Sequence, residues 1–332
     1  MKENELGVLN QYDVNANGTR KVRGAVLCDT KQGPFLLKEL SFSESRVPKL
    51  YELYTFLAEQ GYTDVDWIVK TKEGSLVSEA EDGTKYLLKK WFYGKECDCK
   101  READVLDGVR NLACLHRVME CPSQTLQGEK EHPREDLAHV FFRRNRELKK
   151  VRSFMRGKVA KSEFELQFLQ CFDGMYAWAE RAVAQLSEFD CQGLFCASRE
   201  KGCIVHGDYN YHNLLLANNR IATTGFEHFY TGVQMDDFYY FLRKTMEKNQ
   251  WNIYLGHRML EQYHRILPIS DAALQYLAVC IAYPEKYWKL ANSYNRSSKV
   301  WIPAKTVEKL ELALRQTREK RKFLESIFSF RP

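Results

Sequence analysis

The sequence lacks any run of about 18 apolar residues, so nothing in its 332 positions reads as a membrane-spanning helix. Its first residues, MKENELGVLNQYDV, lack the apolar centre of a secretory signal, so the expectation is cytoplasmic synthesis without a signal peptide and no membrane partner. No two of the ten cysteines have the C-x-x-C spacing of a zinc site, and reduced thiols are the simplest reading. There is no internal repeat, no low-complexity tract and no serine or cysteine in a recognisable nucleophile elbow. What is present is the composition of a folded protein: 44% hydrophobic and 28% charged residues, which excludes global disorder. Fifty basic against 44 acidic residues give a net charge of +6, too even to demand nucleic acid yet compatible with an anionic ligand such as a nucleotide.

The length favours two lobes. Residues 1–93 read as strands and turns around one helix. Asn17-Gly18 would separate two extended runs, Gly7 to Val14 and Lys21 to Asp29, and Gln32-Gly33-Pro34 turns the chain into a third, Phe35 to Leu40. A helix follows, with Ser43 or Ser45 as cap, Pro48 in its first turn and Gly61 as its stop. Val65 to Thr71 and Lys85 to Phe92 are extended again, giving a βββαββ order. Residues 94–332 turn to helical periods, beginning with Arg101 to Val118. Residues 121–136 read as a mobile surface loop, and two long helices follow at about 138–155 and 161–188. The basic run Arg143 to Arg152 on the first reads as a solvated face; without interleaved aromatics it does not make a nucleic-acid surface. Aromatics after Gln234 fall at helical spacing and are expected to be core.

Chemistry concentrates in Ile204 to Leu216, a polar loop between two short apolar strands. Phosphoryl transfer requires a carboxylate to orient the attacking hydroxyl and an oxygen ligand for magnesium. Asp208 and Asn213 are those residue types, five positions apart, and His206 would support the loop from beneath. His206, Asp208 and His212 are also usable metal-ligand types, but the phosphotransfer reading already explains the Asp and the Asn.

This H-G-D-x-x-x-x-N loop resembles that of the aminoglycoside phosphotransferase and choline kinase group. The resemblance implies an α+β, two-lobed, protein-kinase-like fold: a small antiparallel sheet lobe with one helix, residues 1–93, and a large helical lobe, 94–332, carrying the loop 204–216. It also implies ATP and Mg2+ as cofactors, a small hydroxyl-bearing substrate, and Lys38 on the third strand gripping nucleotide phosphates. Glu52, ahead of Glu44, would pair with that lysine, and Trp91 and Tyr93 would lie at the adenine hinge. Asp237, in DDFYYFLRK, would brace the catalytic loop.

One position departs from the group. Where its members carry a magnesium-chelating aspartate after the loop, this chain reads Ile221-Ala222-Thr223-Thr224-Gly225-Phe226-Glu227, with Gly225 or Phe226 at that place and Glu227 as the nearest carboxylate. Losing that ligand points to a pseudokinase or weak kinase; the competing reading is an active ATP-dependent phosphotransferase with Asn213 and Glu227 on the metal. The segments HGDYNYHNLLL, FEHFYTGVQMDDFYYFLRKTMEKNQW and AYPEKYWKLANSYNRSSKVWIP further resemble CotS-type spore-coat proteins. That resemblance implies deposition on the spore coat, with coat proteins as partners.

Overall fold

The computed structural model describes residues 7–22, 24–120, 137–217, 220–296 and 304–331. The stretch 121–136 and part of the SYNRSSKVWIP segment therefore lie outside the described residues. The chain divides into two compact units, Met1–Gly128 with Lys201–Thr231, and Glu129–Glu200 with Gly232–Pro332.

The first unit is built on a six-stranded antiparallel sheet. Strands β1 (Ala16–Val22), β2 (Ala25–Thr30), β3 (Gly33–Glu39), β6 (Lys85–Lys90) and β4 (Ile68–Val69) lie in that order, and β5 (Ser78–Glu79) also pairs with β6. Alternation divides its residues. Val26, Cys28, Phe35, Leu37 and Leu88 form one buried face with Val8, Leu9 and Tyr12. The register Leu36↔Lys89 and Lys38↔Leu87 puts both lysines on the opposite face. Helix α1 (Val47–Glu59) follows β3, with Pro48 in its first turn and Leu50, Leu53, Tyr54 and Leu57 buried.

The N-terminal reading differs in detail. Residues 7–9 are helical rather than extended, and Val8, Leu9 and Tyr12 pack into the core instead of alternating. Asn17-Gly18 is not the turn. The register shifts between Ala16 and Gly18, marking a bulge within β1, and the reversal comes where Val22 pairs with Ala25 and Gly24 takes φ 77°. The turn signal was real, but a glycine at positive φ six residues later closes the hairpin.

A cut at residue 93 also falls inside the first unit. Strand β7 (Lys95–Glu96) pairs with β9 (Leu214–Ala217), which pairs with β10 (Arg220–Thr223). Val65 bridges Thr223, and the Thr223 amide donates to the Asp64 carbonyl at 2.9 Å. Backbone hydrogen bonds thus carry the catalytic-type loop with the sheet. Strands β8 (Ile204–Val205) and β11 (Tyr230–Thr231) and helix α2 (Glu102–Val118) complete the unit.

The second unit is helical: α3 (Leu137–Gly157), α4 (Glu163–Ala184), α5 (Cys191–Glu200), α6 (Met235–Lys248), α7 (Ile253–His264), α8 (Asp271–Ala282), α9 (Glu285–Arg296), α10 (Ala304–Arg315) and α11 (Thr317–Phe328). A Ser162–Glu165 capping box starts α4. Stacked rings fill the core, with Phe141 on Tyr283 at 4.1 Å and Phe168 on Tyr287 at 4.5 Å. In the basic run of α3, Arg144 pairs with Glu285 and Arg152 with Asp173, while Arg143, Arg146, Lys149 and Lys150 are exposed. No described cysteine forms a disulfide, and no described helix is long and apolar enough to cross a membrane.

Candidate active site

The lysine-bearing face of the sheet meets the segment after β10 in a chain of alternating charges. Lys38 Nζ lies 2.9 Å from Glu227 Oε1, the same oxygen lies 2.9 Å from Lys89 Nζ, and Lys89 lies 2.6 Å from Asp66 Oδ2. Asp66 also accepts the Tyr54 hydroxyl at 2.7 Å and the Gly225 amide at 3.1 Å. Lys89 is fully buried, and two charges removed from water this completely persist only when paired and hydrogen-bonded. Burial by itself would raise the pKa of Glu227, but the ammonium groups of Lys89 and Lys38 override it and hold the carboxyl well below its usual range. Burial would likewise lower Lys89, and Asp66 and Glu227 reverse the sign, so it stays protonated.

The polar loop is held from three sides. His206 is buried; its Nδ1 accepts the Asp208 amide at 3.1 Å, which leaves the proton on Nε2, facing the Thr224 carbonyl at 3.1 Å. Its ring packs 4.3 Å from Phe226. Tyr209, buried, donates to the Gly108 carbonyl on α2 at 2.7 Å. Gly207 takes φ 83°, and a Cβ there would sit 2.1 Å from the His228 carbonyl oxygen, so only glycine fits between His206 and Asp208. On the outer side Asn210 Nδ2 donates to Asp208 Oδ1 at 3.0 Å and Asn213 Nδ2 to Asp208 Oδ2 at 2.9 Å. Both carboxylate oxygens are thereby oriented with lone pairs left over, the arrangement a base needs to receive a hydroxyl proton.

The metal side differs. Gly225 adopts φ 83° and ψ 39°, and a Cβ there would stand 3.0–3.2 Å from the Asn213 side chain. Asn213 packs against the place where a chelating side chain would begin. Magnesium favours carboxylate oxygens in octahedral geometry, but one Glu227 oxygen is shared by two ammonium groups. Among the described residues no three His, Cys, Asp or Glu side chains are arranged to hold a metal ion. No carboxylate starts at position 225, and the nearest one, Glu227, has one of its two oxygens committed to Lys38 and Lys89.

Of the residues singled out in the sequence, Lys38, Asp208, Asn213, Glu227 and His206 belong to this one unit. Lys38 pairs with Glu227 rather than with Glu52, which stands exposed on α1, while Glu44 pairs with Lys85 at 2.5 Å. Helix α1 uses Tyr54, not a glutamate, to reach the network, because Tyr54 lies on its buried face. Trp91 follows β6, its amide on the Pro34 carbonyl, and Tyr93 is exposed with its hydroxyl 2.8 Å from Asp29 Oδ1. Asp237 is buried in the first turn of α6, in the second unit. Sequence reasoning missed Asp66, Lys89 and Tyr54. A signal existed for one of them: in Lys89-Lys90 at the end of an apolar strand, period two sends one lysine inward.

The fold has solved relatives. An aminoglycoside phosphotransferase from Alicyclobacillus acidocaldarius aligns with TM-score 0.84 at 18% identity, covering 98% of this chain and 95% of that one. The AMP-bound spectinomycin phosphotransferase APH(9)-Ia gives 0.70 at 10%, covering 98% of each chain. Amicoumacin kinase hAmiN in complex with AMP-PNP, Ca2+ and Ami gives 0.60 at 13%, with 98% of this chain and 94% of that one. At these identities the likeness establishes the protein-kinase-like fold and nothing further. No curated protein matches the sequence. The model of the family described as "Spore coat putative kinase YutH" matches residues 6–327, and the chain belongs to this CotS-like spore-coat kinase family.

Proposed function

We propose that this chain is a spore-coat pseudokinase: a coat-associated protein with a kinase-like site that receives a nucleotide weakly and does not carry out magnesium-dependent phosphoryl transfer. The observation that carries the proposal is Gly225, packed against Asn213 where a chelating carboxylate would start, beside a Glu227 committed to Lys38 and Lys89. Nucleotide binding is supported by Lys38, the one network cation that reaches solvent, its side chain 40% exposed. A phosphate could replace Glu227 there without disturbing the buried Lys89–Asp66 pair. The relatives bound to AMP and AMP-PNP support the same reading, and the family points to the coat and to coat proteins as partners.

A second reading is favoured by the loop itself. Asp208 is oriented through both oxygens, as a working base would be, which supports transfer from ATP to a small hydroxyl-bearing acceptor. Thermal melting with ATP and magnesium, each alone and together, separates the two, because a ligand bound only by the native state raises its stability. A rise with ATP that does not need magnesium supports the pseudokinase; a rise that requires both would overturn it.

A further inference from the structure

The hairpin of α3 and α4, within the second unit, brings exposed apolar side chains and positive charge to one end. From Arg143 to Lys161 every charged residue but Glu147 is basic. Arg144, Arg152 and Lys158 are engaged by Glu285, Asp173 and Glu165. Arg146, Lys150 and Arg156 are exposed and make no ion pair with a described residue. The hairpin turns through Lys158-Val159-Ala160-Lys161, where Val159 is 103% exposed, clear of the protein on every side. In the last turn of α3 Phe154 is 44% exposed, and in the first turn of α4 Leu166 is 56% exposed. Single exposed apolar residues are ordinary; three at one end of one hairpin, interleaved with Arg156, Lys158 and Lys161, mark a contact surface. The tip is also firmly built. Buried Glu165 accepts Lys158 at 2.6 Å, the Ser162 amide at 2.7 Å and the Tyr294 hydroxyl, and the Tyr294 ring lies 6.3 Å from that of Phe154.

We infer that this tip docks on an anionic phospholipid bilayer, with Phe154, Val159 and Leu166 entering the interface and Lys150 and Arg156 at headgroup level. No described helix can cross a membrane, and a surface contact requires none: it needs protruding apolar side chains beside cations. Charge complementarity selects an anionic surface, and the shape of the tip selects a bilayer. A nucleic-acid strand would engage the cations, but the aliphatic Val159 and Leu166 offer it no ring to stack on. An acidic protein would need a hollow to receive a side chain exposed on every side, whereas acyl chains close around it wherever it enters. Glu163, exposed at the start of α4, subtracts one charge from the tip. The other exposed phenylalanine of α3, Phe142, lies about 18 Å back along the helix from Phe154 and stays outside the contact. The surface does not involve the kinase-like loop, so it stands or falls independently of nucleotide binding.

The test is cosedimentation of the full chain, without nucleotide, with vesicles of phosphatidylcholine alone and of equal parts phosphatidylcholine and phosphatidylglycerol. Binding to the mixed vesicles is expected to be at least about tenfold tighter than to the neutral ones and to weaken with added salt. Val159→Ser should weaken it about three- to tenfold, and Arg156→Gln about fivefold, while Phe142→Ser should leave it within about twofold. All three side chains are exposed, and an unchanged melting temperature shows that each variant folds. No binding to the mixed vesicles, equal binding to both kinds, or unchanged affinity in Val159→Ser would overturn the inference. A loss with Phe142→Ser as large as that with Val159→Ser would overturn the placement at the tip. Tighter binding to a single-stranded oligonucleotide or to polyglutamate than to the mixed vesicles would assign the cations to a soluble polyanion and overturn it as well.

Discussion

The two polar clusters of this molecule, one in each unit, are built on opposite terms. In the first, Lys38, Glu227, Lys89 and Asp66 alternate in sign, with Tyr54 and the Gly225 amide on the remaining lone pairs. In the second, charges are again paired, but Trp178 Nε1 and Arg243 Nε have no partner. A network whose charges are all paired ties together the segments that supply them, whereas an unpaired buried N–H costs free energy.

Breaking the closed network should have the largest effect. Lys89→Met leaves Asp66 and Glu227 buried without their shared cation, and denaturant unfolding should show a loss of about 3–5 kcal/mol. Gly207→Ala comes next, since its Cβ would meet the His228 carbonyl at 2.1 Å with φ at 83°; about 3 kcal/mol is expected from backbone strain and displacement of the loop. Gly225→Asp should cost only about 1 kcal/mol, because aspartate tolerates the left-handed region and Asn213 has to yield by tenths of an ångström. That variant sharpens the comparison most, since it puts a carboxylate beside Asn213 and should confer a magnesium-dependent rise in melting temperature with ATP.

Two pH effects in separate windows also distinguish the units, and in both stability rises with pH. Glu227 is depressed in the folded state, so its contribution to stability is present above its ordinary value of 4.5 and is lost progressively as pH falls below it; Glu227→Gln should flatten acid unfolding in that range. Lys320 is lowered from 10.5 to about 7 by burial, with Glu247 and Glu285 opposing and Arg243 reinforcing it. Its unfolded form binds more protons between those values, so stability should rise with pH from about 7 toward 10.5. Lys320→Met should abolish that rise, measured as melting temperature against pH.

Much of the architecture was legible because it rests on period and punctuation. The third strand, expected over Phe35 to Leu40 and found over Gly33–Glu39, Pro48 in the first turn of α1 and the helix ending at Val118 follow from local residues. The closeness of Asp208 and Asn213 was legible because a single turn sets their spacing. What stayed hidden depends on contacts between distant segments. Nothing local in Asp66 or Lys89 announces a pair that exists only once β4 and β6 lie beside each other and β10 brings Glu227 across the sheet. Glu52 was chosen by analogy of position, yet the helix turns Tyr54 to the site. Asn17-Gly18 carried a correct turn chemistry in the wrong place, because a bulge satisfies the same residues. The polar cluster of the second unit was illegible for the same reason: Trp178, Arg243 and Lys320 come from three helices.

The most direct test of the central claim is the affinity for ATP measured by titration with magnesium and again with a chelator. The account predicts two dissociation constants within about twofold of each other, since no carboxylate at position 225 couples the metal to the nucleotide. A tightening of about tenfold or more with magnesium, abolished by Glu227→Gln, would contradict it and assign Glu227 to the metal.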